Sequence, residues 1–139
     1  MLAHTVANTT EGTNTRIANL KLPNELDSAY AIYDDDAISR LVAINMETYF
    51  SNKNTTRSSK TFAFRVPQQF CAATVQRLMG AGANSRTNIT FGGVSYDYEL
   101  RGGKPVVVDP EAQDEQVDVE DGVVRVEVPA SSAVLLRLK

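Results

Sequence analysis

Along much of the chain, apolar and polar residues alternate with a period of two, and the breaks fall at Gly, Pro or Asp. In Thr61-Phe62-Ala63-Phe64-Arg65-Val66, the residues Phe62, Phe64 and Val66 share one side, and Pro67 ends the run. Val117 and Val119 alternate with Asp118 and Glu120. After Asp121-Gly122, Val124, Val126 and Val128 alternate with Arg125 and Glu127. Asp-Gly is a strong two-residue hairpin signal, because both positions tolerate positive φ. Pro129 breaks the second strand, and Val134-Leu135-Leu136-Arg137-Leu138 closes the chain.

The earlier segments read in the same way. Arg16 to Leu22 carries an apolar run after a turn-rich lead. Tyr30-Ala31-Ile32-Tyr33 precedes Asp34-Asp35-Asp36, which reads as the turn into a strand from Ile38 to Met46. There Ile38, Val42, Ile44 and Met46 fall on one parity, and Arg40 breaks the set. Leu41 and Ala43 are apolar too, which predicts a strand covered on both faces. Ser51 to Ser59 is a polar loop. Phe70 to Met79 has one helical reading, with Cys71, Val75 and Leu78 at i, i+4 and i+7. The β-branched pair Thr74-Val75 and the glycines that follow favour a strand over Thr74–Met79. Ile89-Thr90-Phe91 and Val94 to Tyr98 flank Gly92-Gly93, and the stretch from Gly102 to Pro110 is a second loop region. Strands spaced by about ten residues with turn signals between them predict an all-β fold, an antiparallel β-sandwich with Greek-key-like connections. Residues 1–15 read as a lead segment prone to fray, and residues 16–139 as a single domain.

Composition narrows the function classes. The chain has 139 residues, enough for one domain with a real core. Hydrophobic residues make up 42% and charged residues 22%, which argues against disorder. Net charge is −3 and no basic stripe is visible, so a nucleic-acid partner is not expected. No apolar run is long enough to span a bilayer, so no membrane partner is expected either. The single cysteine, Cys71, excludes an internal disulfide and a Cys-based zinc cage. Its neighbours Phe70 and Ala72-Ala73 suggest a buried, inert thiol. The single histidine, His4, lies near an end, which disfavours a Ser-His-Asp or Cys-His site. Met1-Leu2-Ala3-His4-Thr5 lacks the basic start and apolar stretch of a signal peptide.

Candidate chemistry is sparse. A glycosidase needs two carboxyl groups about 5 to 9 Å apart across a sugar. The acidic residues here lie at turns or on polar strand faces, so no catalytic residue is assigned. Asp34-Asp35-Asp36 lacks the spaced oxygen ligands of a calcium loop, and no metal or cofactor is expected. Gly80-Ala81-Gly82-Ala83 lacks the ending of a phosphate loop. Tyr30, Tyr33, Tyr49, Tyr96 and Tyr98 suit a core or docking surface, or a platform on which sugars stack. Asn8, Asn54 and Asn88 each begin an N-x-S/T sequon.

Four stretches in order carry a family resemblance. They are Ser28 to Asp34 with Ile38 to Asn45, Thr74 to Ala83, Asn88 to Ser95, and Val126 to Leu136. Together they resemble the C-terminal β-domain of family 79 glycoside hydrolases, the β-glucuronidase and heparanase-like group, over roughly residues 12 to 139. Met79 and Val94 depart from the pattern, and neither carries chemistry. The resemblance implies that a (β/α)₈ barrel elsewhere in the parent holds two catalytic glutamates and retains anomeric configuration. It also implies that the β-domain packs on that barrel and completes its sheet with a strand from the parent's N-terminus. None of the family's catalytic residues maps onto this chain, and the parent is expected to be extracellular. The leading expectation is a noncatalytic domain that docks on and stabilises the barrel, with Tyr30, Tyr33, Tyr49 and Phe50 as candidate docking or sugar-contact residues. The alternatives are a carbohydrate-binding module using surface tyrosines, or an enzyme in its own right. A sheet edge left unpaired would favour self-association, unless the segment before Ile17 folds back and fills it.

Overall fold

The computed structural model describes residues 14–113 and 115–139. Its strands are β1 (Thr15–Leu20), β2 (Asp27–Asp34), β3 (Ala37–Asn45), β4 (Ser59–Arg65), β5 (Ala72–Met79), β6 (Thr90–Phe91), β7 (Val94–Ser95), β8 (Val106–Val107), β9 (Gln116–Glu120), β10 (Val123–Pro129) and β11 (Ser132–Leu138). The helical parts are a short helix, α1 (Tyr98–Arg101), and a 3₁₀ turn (Glu111–Gln113). Strands take up 50% of the described residues and helix 6%, so the all-β expectation holds.

The strands form one antiparallel sheet curled into a half-barrel rather than two separate sheets. Hydrogen bonding runs β1–β2–β3–β11–β5, with the small β6–β7–β8 meander hung on the end of β5. The join to the second wall is β9. Gln116 to Asp118 pair with β5, whereas Val119 and Glu120 pair with β10. A strand divided between two partners bends the sheet through a corner, which the alternation of Val117 and Val119 does not reveal. β10 then pairs β4 along its length.

The inner face of the curl holds the main core. Ala29 and Ala31, Leu41 and Ala43, Phe62 and Phe64, Val124, Val126 and Val128, and Val134 and Leu136 are all buried there. Each fully buried aliphatic or aromatic side chain contributes about 1.5–3 kcal/mol relative to exposure. Small alanines on β2 and β3 leave room for the two phenylalanines of β4, whose rings stack with centroids 6.4 Å apart. A second cluster of Ile32, Val42 and Leu135 lies on the outer face. The strand β3 is therefore apolar on both faces, as its sequence indicates.

The hairpin turns match their sequences. Asp35 and Asp36 have φ of 49° and 65°, and Asp121 and Gly122 have 51° and 71°. Two successive positive φ values are what a type I′ hairpin requires.

Four expectations change. Ile38 does not share a face with Val42 and Ile44. Ile32 opposes Arg40 while Tyr33 opposes Ile38, so Ser39 is bulged out and Ile38 turns inward toward the main core. Cys71 is exposed, because it sits at the rim one residue before β5 begins. Only Val94 and Ser95 of the stretch to Tyr98 pair as strand. Ser95 Oγ accepts from the Asp97 amide at 3.2 Å, and α1 follows, ending at Gly102 with φ of 62°. Within the loop region from Gly102 to Pro110, Val106 and Val107 pair with β7.

Candidate functional site

The chief surface feature follows from the incomplete curl. Among the described residues β1 pairs with β2 alone and β4 with β10 alone, so each keeps one edge without a strand. A cavity of about 620 Å³ lies between these two walls. Leu20 and Leu22 line it from one side and Phe62 and Phe64 from the other, with Ala31, Tyr33, Ile38 and Leu41 as floor. Near one end Lys60 Nζ reaches across from β4 to Asp27 Oδ1 at 2.9 Å and lies 3.8 Å from Glu47 Oε2. Elsewhere on its wall Arg16 stacks over the Tyr33 ring at 4.3 Å. Two strand edges flanking an apolar floor can receive an extended peptide, with its backbone bonding the edges and alternate side chains filling the groove.

Charged groups elsewhere on the sheet are structural. Asp34 accepts hydrogen bonds from Thr15 Oγ1 at 2.9 Å and Ser39 Oγ at 2.7 Å, and from Arg40 Nη2 at 2.9 Å on each oxygen. Burial pushes its carboxyl up, but the bonds from Ser39 and Thr15 and the Arg40 charge outweigh this and hold it below the usual aspartate value. Asp35 Oδ1 takes the Asn14 amide at 2.9 Å. On β5, Arg77 grips Glu115 with Nε to Oε2 at 2.8 Å and Nη2 to Oε1 at 2.7 Å. Among the described residues no cluster of His, Cys, Asp and Glu is arranged to hold a metal ion.

The candidate aromatic residues do not gather in one place. Tyr30 lies on the outer face against Ile32, Val42 and Leu135, and Tyr33 packs on the inner core at the groove. Tyr49 and Phe50 belong to the loop between β3 and β4, where they line a separate hollow of about 420 Å³. All four are half-buried, so they form no exposed aromatic row. The tyrosines that do project are Tyr96 at 49% exposure and Tyr98 at 77%. Asn54 and Asn88 are exposed, and Asn8 lies outside the described residues.

Sequence reasoning missed two features. The groove residues Leu20, Leu22 and Ile38 read simply as core, since only the sheet order shows that no strand among the described residues covers them. Arg57, in the polar loop, donates to the carbonyls of Ala130 at 2.8 Å, Gly80 at 2.9 Å and Ser131 at 3.2 Å. It also lies 5.3 Å from the Tyr49 ring centroid. A lone arginine among Thr and Ser carries no signal of such a clamp.

Comparison with known proteins bears on this architecture. The profile of the glycosyl hydrolase family 79 C-terminal beta domain matches residues 29–135. A β-glucuronidase of Aspergillus niger is 38% identical over an alignment covering 91% of this chain and 26% of the relative. A β-glucuronidase of Neurospora crassa is 34% identical over 57% of this chain and 18% of the relative. The crystal structure of a 4-O-α-L-rhamnosyl-β-D-glucuronidase from Fusarium oxysporum superposes with a TM-score of 0.73 at 26% identity, over 88% of this chain and 26% of that one. The chain thus spans about a quarter of the A. niger and F. oxysporum proteins.

Proposed function

The chain belongs to the glycosyl hydrolase family 79 C-terminal beta domains, and we propose that it serves as a noncatalytic accessory domain packing against and stabilising a (β/α)₈ barrel. Enzymes of this family pair the domain with such a catalytic barrel. The observation that carries the proposal is the open groove between β1 and β4, whose two strand edges call for a segment that the described residues do not supply. A strand from the parent protein fills that role, so the domain is completed by the polypeptide it stabilises. In this reading the parent is a retaining, β-glucuronidase-like hydrolase that is secreted, and the exposed sequons at Asn54 and Asn88 suit glycans on its surface.

The chemistry supports an accessory role. Asp34 and Glu115 are both held in ion pairs with arginines, an arrangement that serves the sheet rather than proton transfer to a sugar.

Replacing the matching C-terminal segment of the A. niger β-glucuronidase with this chain provides the test. The isolated chain is expected to give no turnover of a chromogenic β-glucuronide. The grafted enzyme is expected to retain turnover that the enzyme lacking any C-terminal domain loses on mild heating. Turnover by the rigorously purified chain alone, or a graft as labile as the truncated enzyme, would contradict the proposal.

A further inference from the structure

Exposed apolar side chains are gathered in one part of the fold. Ten large ones project among the described residues, and six of these fall between residues 89 and 108: Ile89, Tyr96, Tyr98, Leu100, Val107 and Val108. They belong to the excursion that leaves β5 and carries β6, β7, α1 and β8, at one end of the sheet. Singly scattered apolar residues are ordinary on a protein surface, whereas a concentration of them marks a contact that the chain does not make by itself.

The backbone of this excursion is fixed while its side chains are offered to solvent. The amides of Val108 and Asp109 both donate to the Gly93 carbonyl, at 2.9 and 3.0 Å. Gly93 has φ of 76°, and a Cβ there would overlap the Asp109 carbonyl oxygen, so the two segments approach as closely as glycine permits. The Gly92 amide donates to the Arg77 carbonyl of β5 at 3.0 Å, and Asp97 Oδ2 accepts from the Asn88 amide. Against this, α1 buries none of its four residues, too few to be stable on propensity alone. The two-residue strands β7 and β8 offer little more. Such a segment recovers little of its ordering entropy by burial within this chain.

Resting on the reading above, we propose that this excursion is the surface that seats on the catalytic barrel, with Tyr96, Tyr98 and Leu100 at the contact. The lengths support this occupant, because the matched segment covers 26% of the A. niger protein and 26% of the F. oxysporum protein. Most of such a polypeptide lies outside this domain and is covalently available to cover it. The family profile spans residues 29–135 and so includes the whole excursion, which makes it part of the shared domain and suits a partner that the family shares. The composition also suits a protein partner. Four of the six side chains are aliphatic, with no ring for a sugar to stack on, and the exposed Glu99, Arg101 and Lys104 supply a charged border. An apolar and aromatic centre inside a polar rim is the anatomy of an interface between domains.

The test compares the isolated chain, at dilution where it is monomeric, with the A. niger enzyme carrying it as a graft, at radical doses matched with a reporter dye. Tyr96, Tyr98 and Leu100 are expected to be oxidised by hydroxyl radicals in the isolated chain, and severalfold less in the graft. The double variant Tyr98→Ser with Leu100→Ser is expected to lower the melting temperature of the graft and leave that of the isolated chain unchanged. Equal reactivity of the three residues in a stable, active graft overturns the assignment and leaves the accessory role standing. A double variant that lowers both melting temperatures equally also overturns it, since the side chains then serve this chain's own fold. Protection that is absent from the graft overturns it too, whether it arises as the isolated chain is concentrated, which gives the patch to a second copy, or on adding a soluble β-glucan, which gives it to a sugar. A graft whose halves melt independently overturns the accessory role itself.

Discussion

Arg40 Nη2 donates to both carboxylate oxygens of Asp34 at 2.9 Å, from a side chain only 4% exposed. The pair sits at the Ser39 bulge, and Thr15 adds a bond from β1. It therefore ties three strands together where their register shifts. Asp34→Ala takes this doubly bonded carboxylate away from a buried guanidinium, and breaking a buried pair typically costs about 3 kcal/mol. Urea denaturation is expected to show a clearly lowered midpoint with an unchanged slope. A midpoint equal to that of the parent chain would mean that the pair adds nothing.

The same contact sets a pH dependence. The Asp34 carboxyl titrates below its ordinary value of 3.8. A group depressed in this way contributes stability that is present above the unfolded value and lost as pH falls through the folded value. The parent chain is therefore expected to lose more stability than Asp34→Asn as the pH drops below 3.8. Both should be pH-insensitive near neutrality with respect to this group. Parallel acid unfolding curves for the two proteins would contradict this.

Gly122 stands at φ of 71°, and an added Cβ there would lie 3.4 Å from the Val66 carbonyl oxygen. The space is adequate, so the cost of Gly122→Val comes from the backbone. A β-branched residue in the left-handed region is strained by about 1 kcal/mol or more. A thermal melt should show the loss, and an unaltered melting temperature would show that the turn readily adopts another geometry.

The strand content, the turn at Asp34 to Asp36 and the left-handed turn at Asp121-Gly122 are legible in the sequence because they rest on local chemistry. Alternation of Phe62, Phe64 and Val66 fixes which face is buried, and Asp121-Gly122 fixes the hairpin. The faces of β3 were only half legible. A period of two cannot register the extra residue at Ser39, so strict alternation groups Ile38 with the wrong partners. The sheet closure was not legible either. Whether Val117 and Val119 belong to one neighbour or two depends on contacts far away in the chain. The docking residues suffered most from this. Tyr30, Tyr33 and Tyr49 look alike as sequence, yet the fold sends them to the outer face, the groove and a loop.

The open groove has a consequence for the isolated chain. Strand edges without a neighbour among the described residues, beside Leu20 and Phe64, recruit other strands, and a net charge of −3 opposes association only weakly. Sedimentation over a hundredfold concentration range is expected to show reversible self-association, which Leu20→Lys weakens by placing a charge in the groove. A monomer throughout the range would mean that the groove is satisfied within the chain.

The central claim is that this domain and a family 79 barrel form one cooperative unit, and scanning calorimetry of the grafted A. niger enzyme addresses it most directly. A single transition, at a temperature above that of the isolated chain and absent from the enzyme lacking its C-terminal domain, is the expected result. Two transitions, one of them coinciding with the melt of the isolated chain, would contradict it.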